Sequence, residues 1–137
     1  MILVDTNVWS EALRKEPDLN VRAWATAHAD QLWLSTVVVG EFLSGAHTLP
    51  DGRRKTDFLA HYALLIESFA DRIVPFDLAA ARAYGEIVAR LTRAGLDPGT
   101  ADCQIAATGL VRGMALATRN TKDFQGLGIE LIDPWQS

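Results

Sequence analysis

Short apolar runs rich in Ile, Leu and Val recur at 2–4, 32–34, 73–76, 114–117 and 129–132, and stretches with helical spacing lie between them. Few folds accept that alternation. Strands this apolar, without an alternating polar face, need cover on both sides, which predicts an α/β fold with a mainly parallel sheet. The helical stretches have plausible ends. Asp18 precedes Val21, Trp24, Ala25 and His28, Asp77 precedes 78–93 with Gly95 beyond it, and Gly113 follows 101–112, as cap preferences require. Phe58, Leu59, Tyr62, Leu65, Ile66 and Phe69 fall on one helical face. Residues 35–45 are ambiguous on pattern alone. Val37, Val38 and Val39 favour a strand, whereas Ser35 is a good N-cap for a helix carrying Glu41.

The chain has 137 residues and no internal repeat or linker-like tract, so one domain spanning 1–137 is expected. No apolar run approaches the roughly 18 residues needed to cross a bilayer. The apolar stretch after Met1 is short and lacks a basic leader, so no signal peptide is expected either. A single cysteine cannot form an internal disulfide. These features predict a cytoplasmic protein without a membrane partner. With 13 basic and 17 acidic residues the formal charge is −4, which argues against a module that binds nucleic acid through bulk positive charge. An enzyme that meets phosphate through a bound cation is not excluded.

Four carboxylates sit where such a site can form. Asp5 ends the first strand, Glu41 lies in the ambiguous segment, Asp102 stands in the first turn of a helix, and Asp123 follows the fourth strand. Ligand sites in open parallel sheets form just past strand C-termini, and both Asp5 and 118–123 lie there. Each acid also has an ordinary reading, as a turn former or as a complement to a helix dipole. Glu41 is harder to place that way, because its apolar neighbours predict a desolvated carboxylate in need of a partner. Converging carboxylates without nearby Lys or Arg raise one another's pKa until a cation arrives. Hard divalent ions such as Mg²⁺ or Mn²⁺ suit an all-oxygen set.

Four segments carry a family resemblance: Met1-Ile2-Leu3-Val4-Asp5-Thr6-Asn7-Val8, the run from Leu34 to Phe42, Ala101-Asp102-Cys103-Gln104-Ile105-Ala106-Ala107, and the run from Leu116 to Phe124. In order and spacing the chain resembles the PIN-domain ribonucleases, in particular their bacterial toxin branch of VapC and FitB type. The resemblance covers essentially the whole chain. It implies a three-layer α/β/α sandwich and makes the segment after Ser35 a helix. It further implies a metal-dependent endoribonuclease, using Mg²⁺ or Mn²⁺, that acts as a toxin and is silenced by a cognate antitoxin. Asp5 and Asp102 match the family's metal ligands and Glu41 its third acid. The fourth position falls on either Asn120 or Asp123, with Asp123 favoured as the acid. Thr6, Asn7 and Thr118 match groups that orient such carboxylates, and Arg119 is placed to hold a phosphate. RNA substrate, a homodimer and a hetero-oligomer with antitoxin on operator DNA follow from the same resemblance. A catalytically weak partner in operon autoregulation is the alternative that Asn120 keeps open.

Other chemistries fit less well. Cys103 has no paired His and reads as a buried structural thiol. His28, His47 and His61 share no metal-ligand spacing. The four tryptophans read as core or interface anchors. Arg53-Arg54-Lys55 reads as a solvated helix start, with RNA phosphate as its other use. A receiver-type phosphoacceptor needs adjacent acids after the first strand, and a haloacid-dehalogenase phosphatase needs an Asp where Asn7 stands.

Overall fold

The computed structural model describes every residue from Met1 to Ser137. Five strands form one sheet: β1 (Ile2–Val4), β2 (Leu32–Ser35), β3 (Ile73–Val74), β4 (Ala115–Ala117) and β5 (Leu131–Ile132). Their order is β3-β2-β1-β4-β5 and every pairing is parallel. Between them run α1 (Thr6–Ala12), α2 (Leu19–Ala27), α3 (Thr36–His47), α4 (Arg53–Ser68), α5 (Leu78–Arg93) and α6 (Thr100–Val111). Parallel strands need crossovers, and crossovers are right-handed. The chain steps from β1 to β3 in one direction and then back past β1 to β4. Helices α1 to α4 therefore cover one face and α5 and α6 the other. This is the expected α/β/α sandwich.

Both faces of the central strands are dry. Leu3, Leu34, Ile105 and Leu116 are fully buried, each removing apolar area worth roughly 1.5–3 kcal/mol from water. α6 lies so close to β1 that a Cβ on Gly109 would meet Ile129 at 3.3 Å and Leu3 at 3.5 Å. Three helices start on the caps expected of them. Asp18 accepts from the Asn20 and Val21 N–H groups, Ser35 from Val37 and Asp77 from Ala80. Ser35 thus resolves the ambiguous segment as helix α3.

Several boundaries differ from the sequence reading. β3 stops at Val74 instead of reaching Phe76, because Pro75 has no N–H for a ladder and the Phe76 N–H is bound by Thr36 Oγ1 at 3.1 Å. β4 and β5 each start later than expected, at Ala115 and Leu131. For β5, Gly126 and Gly128 at φ +79° and +82° turn the chain just before it. α6 begins at Thr100, one residue before the expected start. Gly99 precedes it and makes no side-chain capping bond. Helix α1 has no counterpart in the sequence reading. Its signal was present in Asp5 as N-cap, followed by the buried pair Val8 and Trp9.

Candidate metal and nuclease site

The sheet reverses its order between β1 and β4, which opens a crevice at their C-terminal ends. Asp5 lies at the end of β1, and its N–H still joins the ladder by donating to the Ala117 carbonyl at 2.9 Å. The carboxylate is only 1% exposed. Its Oδ1 accepts from the Thr6 N–H at 2.7 Å, and its Oδ2 accepts from the Thr118 hydroxyl at 2.8 Å. Asp5 therefore serves as N-cap of α1 and as a buried acid at once. Burial pushes its pKa up to about 6, and Asp102 and then Glu41 add repulsion, against the lowering effect of its two hydrogen bonds.

Asp102 comes from the opposite helical layer, in the first turn of α6. It is half-buried, and its pKa is raised by burial, then by Glu41, and to a smaller extent by Asp123. The Asn120 amide opposes this by donating to Asp102 Oδ2 at 3.3 Å. Asn120 is itself held, since its N–H donates to Thr118 Oγ1 at 3.1 Å. Thr118 is a hub: one hydroxyl donates to Asp5 and accepts from Asn120. Asp123 stands in a 3₁₀ turn, residues Thr121–Phe124, anchored by the buried Phe124. Asp123 and Asn120 both approach Asp102, so geometry gives both a place beside it.

Glu41 corrects an expectation. Its apolar neighbours predicted a desolvated carboxylate, but Glu41 is exposed. Helical spacing turns Val38, Phe42 and Ala46 into the core and leaves Glu41 on another face. The Thr6 hydroxyl donates to it, linking α1 to α3 across the crevice. Asn7 reaches Asp5 Oδ2 only at 3.5 Å and accepts from the Arg119 N–H at 3.3 Å. The Arg119 guanidinium does not face the carboxylates as an ion-pair partner. It stacks on Trp135, 4.6 Å from the ring centroid. Trp135 in that role was missed, and nothing in the local sequence signals it. Cys103, beside Asp102, is buried with its pKa raised to about 11, so it stays a thiol at neutral pH.

None of the four carboxylates forms an ion pair with Lys, Arg or His. A buried acid and a half-buried one, repelling each other and a third, make an all-oxygen negative site that a hard divalent cation fits. No three of these side chains are close enough to share one ion as they stand.

Comparisons with known proteins give the chain's family. The PIN domain model matches residues 2–129. Plasmid stability protein StbB of Pseudomonas syringae pv. tomato is 40% identical over 100% of both chains. VapC ribonuclease Y4jK of Sinorhizobium fredii is 39% identical over 99% of both. Toxin FitB of Neisseria gonorrhoeae is 35% identical over 98% of this chain and 99% of its own. Among solved structures, FitAcB from Neisseria gonorrhoeae superposes with a TM-score of 0.86 at 35% identity, covering 100% of each chain. FitAB bound to an IR36 DNA fragment gives 0.87 at 36%, over 98% of this chain and 96% of that one. With its fold, its order of acidic motifs and its full-length relatives in accord, the chain belongs to the PIN-domain family.

Proposed function

We propose that this protein is an endoribonuclease toxin that cuts RNA with water in a divalent-metal site and is silenced by a cognate antitoxin. The observation that carries this reading is the approach of Asp102, from the first turn of α6, to Asp5 at the end of β1, with neither acid paired to a Lys, Arg or His. Asp5, Glu41, Asp102 and Asp123 would hold one or two Mg²⁺ or Mn²⁺ ions. Such an ion, when bound, supplies a water of lowered pKa and offsets the charge that builds on a phosphodiester in the transition state.

The chain's own residues prepare the site. Thr118 and the Thr6 N–H fix both oxygens of Asp5. Asn120 orients Asp102, and Thr6 holds Glu41 toward the crevice. No Ser or Cys paired with a base stands at the crevice, so water rather than a side chain is the nucleophile. The relatives named for ribonuclease and toxin activity share this chain's full length. A homodimer and a cytoplasmic location belong to the same reading. No helix is long and apolar enough to cross a membrane.

FitAB has been seen bound to an IR36 DNA fragment, and on that ground we extend the reading to a toxin–antitoxin complex that also occupies its operator. The test is incubation of the purified chain with total cellular RNA, with and without Mg²⁺ or Mn²⁺, followed by mapping of cut ends. Metal-supported cuts that Asp5→Asn or Asp102→Asn reduces on the order of 100-fold support it. Full cleavage in EDTA overturns it.

A further inference from the structure

Arg119 stands between the two residues that hold the acids. Thr118 donates to Asp5 and the Asn120 amide donates to Asp102, so the backbone at 119 runs along the rim of the crevice. It is tied there, since the Arg119 N–H donates to Asn7 Oδ1 at 3.3 Å. Arg119 is exposed, and its guanidinium lies over the Trp135 ring and forms no ion pair. Trp135 is a fixed shelf. It sits in the 3₁₀ turn Pro134–Gln136, next to the buried Pro134. Its N–H donates to Asp133 Oδ1 at 2.9 Å, and its carbonyl accepts from the Asn20 amide of α2 at 3.0 Å. The last turn of the chain is thereby fastened to a helix 115 residues away in sequence. A side chain held in advance loses less freedom when it grips a ligand.

Arg72 supplies the contrast. Its guanidinium lies over Phe69 at 4.6 Å from the centroid, the same distance as Arg119 over Trp135. Its Nη1, however, donates to the Ala29 and Leu32 carbonyls at 2.9 and 3.1 Å. That arginine is used up in holding the chain together. Arg119 has the ring without the carbonyls. An aromatic face attracts a cation through its quadrupole but supplies no oxygen, so the N–H groups of Arg119 are left for an acceptor from outside. Covering a tryptophan takes only the apolar stem of a long side chain, and needs no place beside the acids.

We infer that Trp135 is a positioning residue that holds Arg119 at the rim of the crevice, where its guanidinium takes a phosphate of the RNA strand next to the one being cut. The inference rests on the nuclease reading and adds one grip on the substrate to it. A flanking phosphate fits better than the scissile one, because Arg119 is not among the charges that act on Asp5 or Asp102 and so stands off from the carboxylates. A planar fork of N–H groups binds phosphate oxygens in pairs.

The experiment separates KM from kcat. Cleavage of a single-stranded RNA of mixed sequence, carrying a fluorophore and a quencher, is followed in Mn²⁺ at several salt concentrations for the full-length chain and its variants. Arg119→Ala should raise KM on the order of tenfold with a smaller change in kcat. The salt dependence of its KM should be shallower by about 0.7 in logarithmic slope, the share of one phosphate contact on a single strand. Trp135→Leu should raise KM about threefold, and Trp135→Phe, which keeps a ring face, should recover most of that loss. In the Arg119→Ala background Trp135→Leu should raise KM no further, because the shelf then has nothing to hold. An equal rise in both backgrounds would make the tryptophan a structural residue and overturns the inference. So does an Arg119→Ala variant whose KM and salt slope match the parent's, and the nuclease reading then still stands. A parent that cleaves no RNA brings down both. Melting temperatures show which variants are folded, and if Trp135→Leu is not, Trp135→Phe replaces it in both backgrounds and Arg119→Ala decides on its own salt slope.

Discussion

Thr118 donates its hydroxyl proton to Asp5 across 113 residues of sequence, at 2.8 Å and fully buried. The bond joins the ends of β1 and β4, the two strands between which the sheet changes direction. It holds one oxygen of a carboxylate whose folded pKa stands near 6. Thr118→Val should leave that oxygen buried without its donor. The expected cost is about 1–3 kcal/mol of stability, with the Asp5 pKa rising further. Denaturant unfolding checks the first, and a pH profile of cleavage whose acid limb moves to higher pH checks the second. An unmoved profile would show that Thr118 does not tune the acid.

Stability without metal should fall as pH rises. The folded pKa of Asp5 lies above the ordinary 3.8, so the folded state holds the proton more tightly than the unfolded one. The group favours folding below about pH 4, and that advantage is lost as pH climbs through about 6. At neutral pH the loss is roughly 3 kcal/mol, and Asp102 shifts in the same direction. Asp77 runs the opposite way, lowered by its bond from the Ala80 N–H and by Arg112, but it acts only below the ordinary carboxylate range. Thermal melts in EDTA should therefore give a lower Tm at pH 7.5 than at pH 5. Mn²⁺ should raise Tm more at pH 7.5, where the carboxylates are charged.

Neutralising Asp5 separates stability from activity. Asp5→Asn removes a buried charge while its amide oxygen can still accept one of the two hydrogen bonds. Metal-free Tm at pH 7.5 should stay level or rise, while Mn²⁺-supported RNA cleavage falls on the order of 100-fold. A variant that loses both together would mean that the carboxylate is needed for the fold.

Asn120 and Asp123 both approach Asp102, and their variants should behave differently. With Asp123 as ligand and Asn120 as the group that orients Asp102, Asp123→Ala should weaken Mn²⁺ binding by about tenfold or more and reduce cleavage with it. Asn120→Asp adds a carboxylate beside Asp102 and should tighten Mn²⁺ binding. Calorimetric titration of both variants measures this directly. Unchanged Mn²⁺ affinity in Asp123→Ala would return the fourth position to residue 120.

The same repulsion makes the site open to an inhibitor's cation. An antitoxin Arg can satisfy two carboxylates with its planar fork of donors, so inhibition should compete with Mn²⁺. Asp5→Asn and Asp102→Asn should then bind antitoxin more weakly than the parent in a titration without metal. Equal affinity would place inhibition elsewhere on the surface.

Strand–helix alternation, the caps Asp18, Ser35 and Asp77, and the places of Asp5, Asp102 and Asp123 beside strand or helix ends were legible in the chain itself. Such features arise from backbone preferences and periodicities that act over a few neighbouring residues. Helix α1 was legible in principle, but Asp5 read first as the end of a strand and so concealed its capping role. Glu41 shows the limit in the other direction. Its neighbours in sequence are apolar, yet a turn of 3.6 residues sends Val38 and Phe42 inward and Glu41 out to Thr6. Only the tertiary structure decided that Thr118 serves both Asp5 and Asn120, that Trp135 carries Arg119, and that Asp102 raises the proton affinity of Asp5. Desolvation and Coulomb energies depend on distances across the sheet, and the sheet brings together residues that lie far apart along the chain.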